Sequence, residues 1–201
     1  MARIAVIFGT TDGQTERIAR HVVKTLLEGH HTVDLIDTRV SPPFPSLKGH
    51  DAAIVAGSVR MGKFQRKLVG FVRSRRDELS AMRTAFLAVS LSAARETPAA
   101  KREVKNTIAR FVEKTSWKPD AILPVAGALL YKSYGFFTRR VMLLISRMVG
   151  GDTDTSRDYE YTDWKAVADF ARRFSAALRI IEAEGAPAAR CPGGGVVSAS
   201  A

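Results

Sequence analysis

The sequence holds one cysteine, Cys191, among 201 residues. That excludes an internal disulfide and a thiolate metal cluster within one chain. Histidine is scarce as well: His21, His30, His31 and His50 lack metal-ligand spacing. No apolar run approaches the roughly 18–20 residues that a membrane-spanning helix requires. No internal repeat is evident, and residue order offers no Ser/His/Asp set. Acidic residues are in deficit, 20 against 31 Lys and Arg, so the net charge is +11 and the pI about 10.2. Chains this basic seek nucleic acid, anionic lipid or an acidic substrate. The basic residues are scattered over several helices without a recognition motif, so nucleic acid is not the expected partner. The opening residues read as a strand rather than a secretory leader, and a cytosolic setting is expected.

What is present is an apolar share of 46%, enough for a core in one domain with an appendage. The elements alternate. Strand 3–8 leads to helix 13–28, strand 32–36, a Pro-rich loop over 41–45, and strand 52–56 closing on Gly57-Ser58. Helix 64–76 follows, then strand 85–89, helix 100–114, strand 121–126, and a last helix opening at Thr162-Asp163. Trp164, Val167, Phe170, Ala171, Phe174 and Leu178 share one face of that helix, with Thr162 or Asp163 as its N-cap. Five strands with intervening helices predict a doubly wound α/β fold with a five-stranded parallel sheet. Ligands of such sheets bind at the carboxyl ends of the strands, near the topological switch point. Thr10–Thr15, Gly57–Gly62 and Ser90–Arg95 all follow strands on that edge, so three separate loops are expected to form one site.

The first loop, Thr10-Thr11-Asp12-Gly13-Gln14-Thr15, is the most informative. It lacks the G-x-G-x-x-G of dinucleotide sites and the G-x-x-x-x-G-K-[ST] of P-loops. It sets hydroxyls, backbone N–H groups and the positive end of a helix dipole around one point, which suits a single phosphate. The loop resembles the T-x-T-G-x-T run of flavodoxin-like FMN loops. Asp12 departs from that run; a carboxylate beside a phosphate is repulsive, and turning away to cap the helix is its alternative.

Between Gly127 and the last helix, an insertion of about 128–157 does not belong to a minimal five-stranded domain. Tyr131, Tyr134, Phe136 and Phe137 lead into a segment in which Phe137, Val141, Leu144, Ile145 and Met148 share one helical face. Arg139, Arg140 and Arg147 fall largely away from it. This is a basic amphipathic helix, either packed on the domain's own core or lying on an anionic membrane surface. Asp152 and Asp154 follow in a loop read as anchoring the insertion. The domain is expected over 1–184. Residues 185–201, rich in Gly and small residues and carrying Cys191, are expected to be a disordered tail. Trp117 and Trp164 read as core or interface residues.

Several runs together resemble one family: F-G-T-T-D-G-Q-T at Phe8–Thr15, G-S-V-R-M-G-K-F at Gly57–Phe64, S-W-K-P-D at Ser116–Asp120, A-G-A-L-L-Y at Ala126–Tyr131, G-G-D-T-D-T at Gly150–Thr155 and Y-T-D-W at Tyr161–Trp164. They are similar to the bacterial menaquinone-dependent protoporphyrinogen IX dehydrogenases, over about residues 3 to 180. The resemblance implies a flavodoxin-like fold, FMN, protoporphyrinogen IX as substrate, and menaquinone or ubiquinone as acceptor. It also implies peripheral attachment at the cytoplasmic side of the inner membrane, and a homo-oligomer is a further expected partner state. On this reading Thr10, Thr11, Asp12, Gly13, Gln14 and Thr15 hold the FMN phosphate. Gly57, Ser58, Val59, Arg60, Met61 and Gly62, with Ser90, Leu91 and Ser92, flank the ring, Gly57 or Gly62 admitting backbone amides close to it. Arg60 or Lys63 meets a substrate propionate, or else belongs to a solvated helix start, and Tyr131 contacts the ring. Two other readings stay open: a flavodoxin-like electron carrier or NAD(P)H:quinone reductase, and a basic membrane- or nucleic-acid-binding module. The positive charge speaks against a soluble carrier, since flavodoxins are usually acidic.

Overall fold

Strand β1 (Arg3–Gly9) is apolar on both faces, as a central parallel strand must be when helices cover both sides of its sheet. Ile4, Val6 and Phe8 enter one core and Ala5 and Ile7 the other. The chain is known from a computed structural model that describes residues 1–40, 44–129 and 159–185. The remaining elements are α1 (Gln14–Glu28), β2 (Thr32–Asp37), β3 (Ala52–Arg60), β4 (Lys63–Phe64), α2 (Arg66–Ser74), α3 (Arg76–Ser80), β5 (Arg83–Ser90), a 3₁₀ turn at Ser92–Ala94, α4 (Pro98–Thr115), β6 (Ala121–Ala126), β7 (Ala128–Leu129), β8 (Tyr159–Glu160) and α5 (Trp164–Gly185).

The main sheet runs β2-β1-β3-β5-β6, with these five strands parallel and β4 folded back antiparallel on β3. This is the expected doubly wound fold. The strand order reverses between β1 and β3, so the loops after these two strands diverge and leave a crevice between them. Helices α1 and α5 cover one face. They bury Ile18, Ala19, Val22 and Leu26, and Val167, Phe170, Ala171, Phe174 and Leu178, at helical spacing. Asp163 is the N-cap of α5: its Oδ1 accepts the Ala166 N–H at 2.9 Å. Helices α2 and α4 cover the other face, where Phe64, Phe86, Phe111 and the fully buried Trp117 interlock. Trp164 packs edge-on against His21, under the Arg17 guanidinium.

The structure departs from the sequence reading in three places. Strand β3 does not stop at Gly57-Ser58 but continues to Arg60. It turns through Met61 (φ 50) and Gly62 (φ 71) and pairs Val59 with Phe64 and Arg60 with Lys63. Two positive φ values in a two-residue hairpin match the twist of the flanking strands. Phe64 is therefore a strand residue, buried against Phe86 and Phe111, and α2 begins only at Arg66. The expected long helix also breaks at Arg75, whose guanidinium leaves the helix to bond the carbonyls of Phe44 and Pro45. His31, between α1 and β2, is buried. Its Nδ1 accepts the Ala2 N–H and its Nε2 lies 2.7 Å from Ser175 Oγ, tying β1 to α5.

The ribbon of β7 and β8 joins Ala128 to Glu160 and Leu129 to Tyr159, closing the chain on either side of the inserted stretch. The expected amphipathic helix, Tyr131 and Cys191 lie outside the described residues.

Candidate active-site crevice

The loops after β1, β3 and β5 enclose a crevice of about 220 Å³. Its first wall is the turn into α1. Gly13 takes φ 91, a left-handed conformation that favours glycine. The Thr10 hydroxyl accepts the Gly13 N–H at 2.9 Å. Gly13, the N-cap of α1, has no side chain with which to cap it, so the first-turn N–H groups are open to an acceptor from outside the helix. The Thr15 hydroxyl, in that same first turn, is fully buried and has no hydrogen-bond partner. A buried hydroxyl without a partner at a helix N-terminus is what a phosphate would satisfy. The donor set therefore fits a nucleotide monophosphate.

The Asp12 carboxylate lies 3.6 Å from the Arg60 guanidinium of the next loop, a cation that offsets its charge beside the phosphate position. Gln14 reaches elsewhere with its side chain. Its amide donates to Glu160 Oε1 and Thr162 Oγ1, both at 2.9 Å, and its carbonyl oxygen accepts from Arg17 at 2.8 Å. Gln14 thus fastens the phosphate turn to β8.

The second wall is the β3–β4 hairpin: Ser58, Val59, Arg60, Met61 and Gly62 all line the crevice. Met61 is 82% exposed at the tip. Gly57 lies behind this wall. A Cβ there would meet Leu68 Cδ2 at 2.4 Å and Phe64 Cδ1 at 3.0 Å, so the missing side chain admits α2 rather than a ligand. Gly62 has open space where a Cβ would stand. Lys63 lines a separate hollow rather than the crevice.

The third wall is Ser90, Leu91 and Ser92, completed by Gly127 and Ala128. Ser90 Oγ accepts the Ala93 N–H, and Gly127 N–H donates to the Ser90 carbonyl. Gly127 and Ala128 escaped the sequence reading of the site, as did two polar side chains. Gln65 donates through its amide to Thr11 Oγ1 at 3.1 Å and to Ser58 Oγ, bridging the first two loops. Glu103, on α4, lines the crevice and accepts the Ser92 hydroxyl at 2.9 Å. Neither stands in a motif; only the seating of α2 and α4 brings them in. Among the described residues no cluster of His, Cys, Asp and Glu could hold a metal.

A doubly wound parallel sheet with a hydroxyl-lined phosphate seat at its switch point defines a flavodoxin-like α/β protein. The chain belongs to the flavodoxin-domain family, whose model (Flavodoxin domain) matches residues 5–156, and within it to the protoporphyrinogen IX dehydrogenases. It is 34% identical over 172 residues to the protoporphyrinogen IX dehydrogenase (quinone) of Escherichia coli (strain K12), covering 85% of this chain and 93% of that one. It is 32% identical over 178 residues to the enzyme of the same name from Leishmania major, covering 85% of this chain and 74% of the relative. Among solved structures it resembles Flavodoxin 1 from Bacillus cereus in fold, with a TM-score of 0.53 at 15% identity, over 87% of this chain and 98% of that one.

Proposed function

We propose that this chain oxidises protoporphyrinogen IX to protoporphyrin IX, with FMN as its redox cofactor and a quinone as electron acceptor, in haem synthesis. The observation that carries the reading is the buried, unpartnered Thr15 hydroxyl at the head of α1, in a chain whose curated relatives bear that enzyme's name. Bound FMN supplies two-electron redox chemistry that side chains cannot perform. The protein's part is to seat, orient and exclude water. Thr10, Thr11, Gly13 and Thr15, with the first-turn N–H groups, hold the phosphate. Gln65 keeps the first two loops in register. Val59, Met61 and Gly62 face Ser90, Leu91 and Ser92 across the ring position. Glu103, held by Ser92, is the carboxylate that accepts a proton released by the substrate. Arg60 or Lys63 receives a substrate carboxylate, and Tyr131 contacts the ring.

We further propose that the protein works at the cytoplasmic side of the inner membrane, on an anionic surface, as a homo-oligomer, taking its menaquinone or ubiquinone from the bilayer. The net charge of +11 and the amphipathic pattern over 136–149 support peripheral contact. Among the described residues no helix is long and apolar enough to cross a membrane.

The test is anaerobic mixing of FMN-loaded protein with protoporphyrinogen and a quinone. Flavin bleaching by the porphyrinogen, reversed by the quinone, is expected. Reduction by NAD(P)H alone would replace this reading with a nicotinamide-dependent quinone reductase. Flotation with anionic liposomes, with and without residues 136–149, tests the surface; equal flotation of both forms would reject the amphipathic contact.

A further inference from the structure

Four cations converge on one concave site beside the crevice. Lys63 on β4, Arg66 on α2, and Arg110 and Lys114 on α4 line a hollow of about 240 Å³. Its floor is apolar: Phe64, Val69 and Phe111 are all buried. Among the described residues none of the four has a carboxylate partner. Other arginines near the loops are paired. Arg60 pairs with Asp12, Arg75 with Glu78, Arg76 with Asp77, and Arg39 with Asp37 and Glu16. Arg110 and Lys114 also stand four residues apart on one helix, where like charges repel. Arg110 is fixed along its helix by bonds to the Asn106 carbonyl and the Thr107 hydroxyl, which orders its guanidinium without neutralising it.

Gly62 lines both this hollow and the crevice. A flat ligand lying across that open glycine has its reacting carbons over the crevice and its acidic arms in the hollow. We propose that the hollow is the carboxylate subsite for the substrate, and that Arg66, Arg110 and Lys114, with Lys63, bind the propionates of the tetrapyrrole while Phe64 and Phe111 underlie the apolar edge. Guanidinium groups bind carboxylates bidentately and ammonium groups add point charge. The concavity and the aromatic floor suit one compact dianion better than a flat lipid surface. This inference rests on the function proposed above.

The experiment uses the full chain loaded with FMN and takes protoporphyrin IX as probe, because it keeps both propionates and is not turned over. Porphyrin fluorescence gives its Kd, flavin fluorescence that of FMN. Arg110→Glu/Lys114→Glu keeps two exposed helix positions in good helix formers. It is expected to weaken porphyrin binding about tenfold or more and to leave FMN affinity unchanged. The dimethyl ester of protoporphyrin is expected to bind the wild type as weakly as the free acid binds the variant, and to be indifferent to the substitutions. An unchanged Kd in the variant, or an ester bound as tightly as the acid, overturns the subsite. So does competition for the hollow by phosphatidylglycerol vesicles that is lost in the variant, which would assign the cations to a membrane. A wild type that neither binds protoporphyrin nor oxidises protoporphyrinogen overturns the proposed function itself. A wild type that does both, beside an unaffected variant, overturns only the hollow.

Discussion

Thr15→Val separates what the phosphate turn does for the fold from what it does for the ligand. Valine keeps the shape of threonine and removes the hydroxyl. In the free protein that hydroxyl is wholly buried without a partner, a desolvation cost of about 1–3 kcal/mol. The variant without FMN is therefore more stable than the wild type. At the low end of that range its melting temperature rises by about 2–4 °C for a domain of this size. With FMN the sign reverses. A hydrogen bond to a charged group contributes about 1.5–3 kcal/mol, so the Kd for FMN rises about 10- to 150-fold. Take FMN at about 100 times the wild-type Kd. The wild type then gains about 2.7 kcal/mol, and a variant binding about 30-fold more weakly gains about 0.9 kcal/mol. The loss of about 1.8 kcal/mol outweighs the gain of about 1 kcal/mol in the free form. Thermal melts of wild type and variant, with and without FMN, should cross. A variant less stable than the wild type without FMN, together with an unchanged Kd, would refute the assignment of Thr15 to the phosphate.

Three further outcomes are expected. Glu103→Gln keeps an acceptor for the Ser92 hydroxyl but cannot take a proton; kcat should fall by about 10²-fold or more, with FMN affinity retained, and an unchanged kcat would remove Glu103 from the chemistry. Gly57→Ala forces a methyl against Leu68 Cδ2 at 2.4 Å. Overpacking of this kind costs about 1–3 kcal/mol, and FMN should bind more weakly as α2 shifts; a melt matching the wild type would show that Leu68 gives way freely. Acid stability follows two carboxylates. Hydrogen bonds from His50 and then Arg3 hold Asp34 below its ordinary 3.8. Burial pushes Glu78 up, but bonds from Ser46 and Leu47 and the nearby Arg75 outweigh it and hold Glu78 below 4.5. Folded values below unfolded ones contribute stability above the unfolded values, and that stability is lost as pH falls through the folded ones. Urea midpoints should be flat above about pH 5 and fall below about pH 4, and Asp34→Asn should shrink that fall.

The parts of the fold that local pattern determines were legible. The 3.6-residue recurrence of Ile18, Ala19, Val22 and Leu26 places α1, and the unbroken run Ile4–Phe8 places a central strand, because each pattern reports burial directly. The hydroxyl turn was legible for the same reason: Thr10 acts on Gly13, three residues on, and Thr15 follows in the same turn. What failed was long-range. Gly57 read as the end of a strand, whereas it is the middle of one, kept bare for a helix that follows. Gln14 lines the crevice as read, but its side-chain bonds to Glu160 and Thr162, 146 and 148 residues away, were not legible. Lys63 was legible as a cation beside the second loop; Arg110 and Lys114, which share its hollow, come from an element some forty residues on. Such pairings depend on which helix lies over which strand, and hydrophobic period is silent on that.

The packing behind the crevice shows how such distant pairings are enforced. Gly9 and Gly57 stand side by side on β1 and β3 in register. A Cβ on Gly9 would lie 2.9 Å from Leu68 Cβ, and one on Gly57 would lie 2.4 Å from Leu68 Cδ2. Two bare positions on adjacent strands thus make a notch at the carboxyl edge of the sheet, and the fully buried Leu68 occupies it. Leu68 sits one turn into α2, so the notch fixes where that helix begins. Gln65, at its N-cap, is thereby held where its amide reaches Thr11 and Ser58. The hairpin that carries Arg60 and Gly62 is pinned by the same helix through the neighbouring Phe64. The two glycines do not line the crevice, yet they set the spacing of the loops that do. The bridge between the phosphate turn and the ring loop is therefore a consequence of core packing, and changes in the notch should be read out at the crevice before they are felt in the rest of the sheet.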